Sequence, residues 1–65
     1  METINIAPLS MHPDARPTQY RLNDGVIEVR TWNVARGMYN QWDVSNASRI
    51  IGANAWEVLK SKAIS

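Results

Sequence analysis

A two-residue pair, Asp24-Gly25, set between two stretches of alternating polar and apolar side chains, constrains this chain more than any other feature. Asp-Gly suits a type I′ turn, in which both central residues take positive φ and whose twist matches that of paired strands. Residues 18–31 therefore predict a β-hairpin. A two-residue turn also fixes the register: Leu22 faces Ile27 and Tyr20 faces Val29, so four apolar side chains share one face, while Arg21 meets Glu28 on the other. A three-residue loop through Asn23 would oppose Tyr20 to Glu28 and scatter the apolar set. A lone hairpin is only marginally stable in water, so the rest of the chain must cover its apolar face.

Residues 1–17 hold all three prolines and the single histidine without helical period, and read as an extended arm. Within it, Ile4 and Ile6 flank Asn5 in an alternation that suits an edge strand, which Pro8 would end. From Trp32 the period changes. Trp32, Ala35, Met38, Tyr39 and Trp42 recur at helical spacing and predict a helix over residues 32–42. Gly37 costs such a helix about 1 kcal/mol relative to alanine, and Arg36-Gly37 offers the alternative of a second hairpin ending near Val44. Asp43 and Ser45 are competent N-caps, and Ile50, Ile51, Ala55, Val58 and Leu59 form an amphipathic face beyond them. They predict a helix over residues 45–63, with Lys60 and Lys62 at the negative end of its dipole. The expected fold is α+β: a hairpin at 18–31 packed with two short helical segments, as a single small domain over 18–65 preceded by the arm.

A chain of 65 residues without cysteine has a thin core and no disulfide to staple it. Unpaired strand edges and apolar faces would then favour self-association, and a homodimer is expected. No cationic leader precedes an apolar stretch, and no apolar run approaches the roughly 20 residues a bilayer requires. The expected location is the cytoplasm, or the host cytoplasm if the chain is phage-encoded.

Catalysis needs a nucleophile or an acid/base pair oriented by a second group, and the inventory is sparse. His12 lies between Met11 and Pro13 in the arm and reads as solvated. With no cysteine, a zinc site would need carboxylates from scattered positions, and no glycine-rich phosphate loop is present. No catalytic, cofactor-binding or metal-ligating residue is expected, and the chain is not read as an enzyme. Binding is better supplied. Three tryptophans are many for so small an interior, and aromatics with arginine dominate interface hot spots. Trp56, Trp42, Tyr39 and Arg36 are the expected partner-binding residues. If Ile51, Ala55 and Val58 face inward, Trp56 lies on the flank beside Asn54 and Lys60, either exposed or folded over the domain edge.

The segment Ala47, Ser48, Arg49, Ile50, Ile51, Gly52, Ala53, Asn54, followed by Val58, resembles the helix-turn-helix of small bacterial and phage DNA-binding regulators. A small residue, Ser48, precedes the turn glycine Gly52 by four positions, and Val58 follows six later. The resemblance covers residues 47–62 and implies a recognition helix over 53–62, with Asn54, Trp56, Lys60 and Lys62 toward groove or phosphates. An uninterrupted helix through Gly52 accounts for the same residues. Glu57 and a formal net charge of only +1 weigh against nucleic acid. Three functions follow in order: a small regulatory or inhibitory module that binds another protein, in the manner of phage or bacterial accessory proteins; a sequence-specific DNA-binding regulator; and a structural subunit of an assembly.

Overall fold

The computed structural model describes residues 2–8 and 10–64 of the chain; Met1 and Leu9, both in the expected arm, lie outside the described residues, as does Ser65. Among the described residues no helix is long and apolar enough to cross a membrane. The fold is α+β. The hairpin forms from β2 (Thr18–Asn23) and β3 (Val26–Arg30) in the register the alternation predicts, with Tyr20 opposite Val29, Arg21 opposite Glu28 and Leu22 opposite Ile27. Its turn carries Asp24 at φ 53° and Gly25 at φ 80°, the two left-handed conformations a type I′ turn requires.

The edge strand anticipated in the arm is β1 (Thr3–Ile6), antiparallel to β2, with Ile4 opposite Tyr20. Ile4 is buried, so the start of the arm belongs to the core. The outer side of β1 receives the C-terminal segment, where the Ile64 N–H donates to the Asn5 carbonyl at 2.8 Å.

Residues 32–42 correct the sequence reading. They form no helix but a hairpin of β4 (Trp32–Asn33) and β5 (Met38–Tyr39), and β6 (Asp43–Val44) then joins β3 to complete a sheet of order β1-β2-β3-β6. The second hairpin, weighed as the alternative to a helix, prevails for a local reason. The Asn33 side-chain oxygen accepts the Arg36 N–H at 3.1 Å, its carbonyl accepts the Gly37 N–H at 2.9 Å, and Gly37 takes φ 65°. Asparagine closing a turn onto its own backbone, with a glycine in the left-handed region, stops a right-handed helix. Trp32 and Tyr39 are still neighbours, as cross-strand partners, whereas Ala35 and Met38 are exposed.

The helix expected over 45–63 is two helices, α1 (Ala47–Ile51) and α2 (Ala55–Ser61), parted at Gly52 with φ 111° and ψ −163°. The N-cap of α1 is Asn46 and not either anticipated residue; the Ser45 hydroxyl accepts the Ala47 N–H at 3.1 Å, and the Asp43 carboxylate accepts the N–H of Val44 at 2.8 Å. The break changes which residues face inward. Ala47, Ala55 and Leu59 are buried with Ile4 and Ile27, and Ile6, Tyr20, Leu22 and Trp56 pack around them. Ile50 and Ile51, expected on the buried face, are exposed.

Candidate interaction surface

The two faces of the sheet meet different fates, which sorts the expected binding residues. The inner face carries Ile4, Tyr20, Leu22 and Ile27 and receives the helices. Trp56 belongs to this side: it is half-buried against the core, in keeping with a side chain folded over the domain edge.

The outer face is roofed by Tyr39 at the end of β5 and by Trp42 beyond it. The Arg21 guanidinium lies 4.2 Å from the Trp42 ring centre, that of Arg30 lies 4.7 Å from the same ring and 4.6 Å from Tyr39, and Tyr39 meets Trp32 edge-on at 4.9 Å. Arg16 stands over Trp32 at a looser 5.7 Å. Each stack joins a cation to the electron-rich face of a ring. Hydrogen bonds fix the layer below: the Arg21 Nε–H donates to Glu28 Oε1 at 2.7 Å, the Arg30 Nε–H to Gln19 Oε1 at 2.6 Å, and Gln19 Nε2 to Asn5 Oδ1 at 3.0 Å. The Tyr39 hydroxyl donates to the Pro17 carbonyl at 2.9 Å. The bond from Arg21 holds the Glu28 carboxyl below the usual carboxylate range.

Trp42 and Tyr39, named from the sequence as partner-binding residues, are thus brought together through Arg30. Arg36 sits exposed in the β4–β5 turn, and Trp56 lies on the opposite side of the sheet. The residues linked to DNA binding share α2 and its ends: Asn54 precedes the helix and is exposed, Lys60 pairs with Glu57 at 3.4 Å, and Lys62 is exposed after the last turn. His12 is exposed, and its Nδ1 accepts the Asp14 N–H at 3.1 Å. Among the described residues no three His, Cys, Asp or Glu side chains gather as a metal site.

A surface the sequence reading did not single out lies where β6 runs into α1. Val44, 68% exposed and opposite Glu28, and Val26, opposite Asn23, project on the outer side of the sheet, whereas Ile50, 74% exposed, and Ile51 stand on α1. Two clefts adjoin here. One of about 450 Å³ is lined by Val26, Val44, Ser45, Asn46 and Arg49 among others, and one of about 280 Å³ by Ser45, Asn46, Ile50, Ile51 and Lys62 among others. They share Ser45 and Asn46, where the chain passes from the edge of the sheet into α1. A further cleft of about 410 Å³, between residues 13–16 and the β4–β5 hairpin, is lined by charged and apolar groups together, among them Asp14, Arg16 and Trp32.

The available signal for the β6–α1 surface was Gly52. Read as a break, it separates the phase of α1 from that of α2 and leaves Ile50 with no shared face to join.

No family model, curated protein or solved structure matches this chain significantly.

Proposed function

We propose that this chain is a small non-enzymatic module that binds another protein through the apolar side chains left exposed around the β6–α1 connection, Val26 and Val44 on the strands and Ile50 and Ile51 on α1. One observation carries the reading. Among the described residues the core buries three large aliphatic side chains, Ile4, Ile27 and Leu59, its other two members being alanines, whereas four stay exposed around this connection. Contiguous exposed apolar side chains around a groove characterise protein-interaction sites, while isolated ones need no explanation. The arginine–aromatic layer on the outer face has the composition of a hot spot, but the ring faces of Trp42 are occupied by its own arginines. It serves the fold first.

The test is capture from the native source with the immobilised chain and with a Val44→Asp, Ile50→Asp variant. Both positions are solvent-exposed, so the variant should stay within about 1 kcal/mol of the parent in stability, about 0.5 kcal/mol for each substitution. Loss of a specific captured protein with an unchanged melting temperature is expected. An identical captured set from both chains would refute the reading.

A second reading, a DNA-binding regulator, draws on the parting of α1 and α2 at Gly52, where the helix-turn-helix resemblance requires a turn. Against it stand Glu57 on α2 and the engagement of Lys60 by that carboxylate. Retention on DNA that falls steeply with salt would favour this reading over the first.

A further inference from the structure

The pairing of the four-stranded sheet sets one row of side chains across its outer face: Thr3 opposite Arg21, Arg21 opposite Glu28, and Glu28 opposite Val44. The neighbouring row runs from Asn5 through Gln19 to Arg30, and Trp42, two residues before Val44, stacks on both arginines. Each guanidinium is therefore held twice, by the Trp42 ring and by its Nε–H, which Arg21 donates to Glu28 and Arg30 to Gln19. Their terminal amino groups make no hydrogen bond among the described residues. Charge is unbalanced as well. Glu28 is ion-paired with Arg21, whereas Arg30, half-buried, has only the neutral Gln19 and the rings of Tyr39 and Trp42. Val44 is exposed at the end of the Arg21 row.

Resting on the protein-binding reading above, we infer that the Arg21–Arg30 pair is a recognition site for a carboxylate, an aspartate or glutamate side chain of the partner protein whose apolar neighbour settles on Val44. Arginine's planar fork pairs with a carboxylate through two parallel N–H bonds, and a fork already fixed on a ring loses little freedom in doing so. The local charge selects the anion. Two guanidiniums with one carboxylate leave a single positive charge, which a second carboxylate cancels; a phosphate monoester, at about −1.5 to −2, exceeds it with Glu28 close by. Single-stranded nucleic acid needs open ring faces on which its bases stack, and Trp42 is engaged by its own arginines. A second copy is also a poor occupant. A two-fold contact brings the arginine pair toward its own image, and the carboxylate of that image is already paired.

The probe is a random library of displayed peptides of about 12 residues, longer when extended than the 34 Å long axis of the chain, selected on the immobilised full chain. Enriched peptides should carry aspartate or glutamate beside an aliphatic residue. Changing that acid to its amide in a labelled peptide should weaken binding at least about tenfold, and salt should weaken the acidic form more than the amide. Two variants locate the effect: Arg30→Gln removes the unpaired fork, while Val44→Glu leaves the stacks intact and sets a competing carboxylate on the same row. On both, the acid and amide peptides should bind alike, whereas Arg36→Gln, in the β4–β5 turn, should keep the difference. Enriched peptides without an acid, an amide that binds as well as the acid, or a difference that persists on Val44→Glu overturns the inference. So does an equal loss on Arg36→Gln, which would reduce the effect to general positive charge, or tighter binding of a phosphoserine peptide than of its glutamate counterpart. Acid-free peptides that the Val44→Asp, Ile50→Asp variant no longer binds would leave the protein-binding reading standing without the carboxylate. No enrichment at all overturns the inference and leaves that reading to the capture experiment.

Discussion

Replacing Gly25 isolates a single physical quantity, because a Cβ built at this position meets nothing within 4 Å. Whatever a side chain costs here is conformational. Gly25 sits at φ 80°, and the left-handed region costs an ordinary L-residue about 1–2 kcal/mol. Replacing glycine also stiffens the unfolded chain, which returns about 0.4–1 kcal/mol to the folded state. Gly25→Ala should therefore lose about 0–1.6 kcal/mol net, combining these two terms. Gly25→Val should lose more than about 1 kcal/mol, since branching at Cβ makes positive φ a genuine outlier. Gly25→Asn should lose the least, because asparagine enters this region readily. A chain of 65 residues is stable by about 3–10 kcal/mol at the usual ~0.05–0.15 kcal/mol per residue, so the valine variant should be measurably weakened. Each kilocalorie shifts the melting temperature of a domain this size by about 4–8 °C. The assay is urea and thermal denaturation followed by tryptophan fluorescence on the three variants. An unchanged melting temperature in Gly25→Val would refute the type I′ turn. Equal losses from valine and asparagine would show that bulk, rather than φ, sets the cost.

Three further outcomes are expected. Trp42→Ala should destabilise the fold, and a double-mutant cycle with Arg30→Ala should return a coupling of about 0.5–1 kcal/mol, typical of a cation–π contact that is not fully desolvated; zero coupling would mean the stack contributes nothing. Glu28 has a lowered pKa in the folded state, caused first by its hydrogen bond to Arg21, so its stabilisation is present above the ordinary glutamate range and is lost as pH falls through the depressed value. Glu28→Gln should flatten that part of the acid stability profile, as measured by denaturation across a pH series, and an unaltered profile would remove this cause. Trp56→Ala, at a half-buried position against the core, should cost about 2–4 kcal/mol, somewhat below the range for a fully buried tryptophan; an unchanged urea midpoint would return Trp56 to the list of free interface anchors.

The sequence made some features legible and concealed others for physical reasons. The register of β2 and β3 could be read because Asp24-Gly25 admits few turn geometries and the period-2 pattern on either side agrees with only one of them. The 32–42 segment misled because Trp32 and Tyr39 are seven residues apart, a spacing that puts them on one helix face and also makes them cross-strand partners around a four-residue loop. What decided between the two was Asn33 bonding to the Arg36 N–H, a side chain competing with the backbone, which hydrophobic periodicity does not register. The outer-face layer was hidden for the same reason. Arg21 and Arg30 alternate as solvent-facing residues should, and only the return of residues 39–42 across the sheet turns them into stacking partners of Tyr39 and Trp42.

The exposed β6–α1 surface follows from how little chain is available to cover the fold. Two helices of five and seven residues cover the inner face of the sheet. Had the helix continued through Gly52, the spacing of Ile50, Ile51, Ala55, Val58 and Leu59 would have placed them along one stripe toward the sheet. The break instead commits α1 to the core through Ala47, the smallest apolar side chain, and turns Ile50 outward at 74% exposure. Gly52 lies at φ 111° with no neighbour that would obstruct a side chain there, so packing does not demand glycine at this position; the backbone conformation does. A fold with so few buried aliphatics gives up burial of two isoleucines to hold that conformation. Burying a side chain of this kind is worth about 1.5–3 kcal/mol, a free energy that the isolated chain forgoes and a partner covering Ile50 and Ile51 would recover.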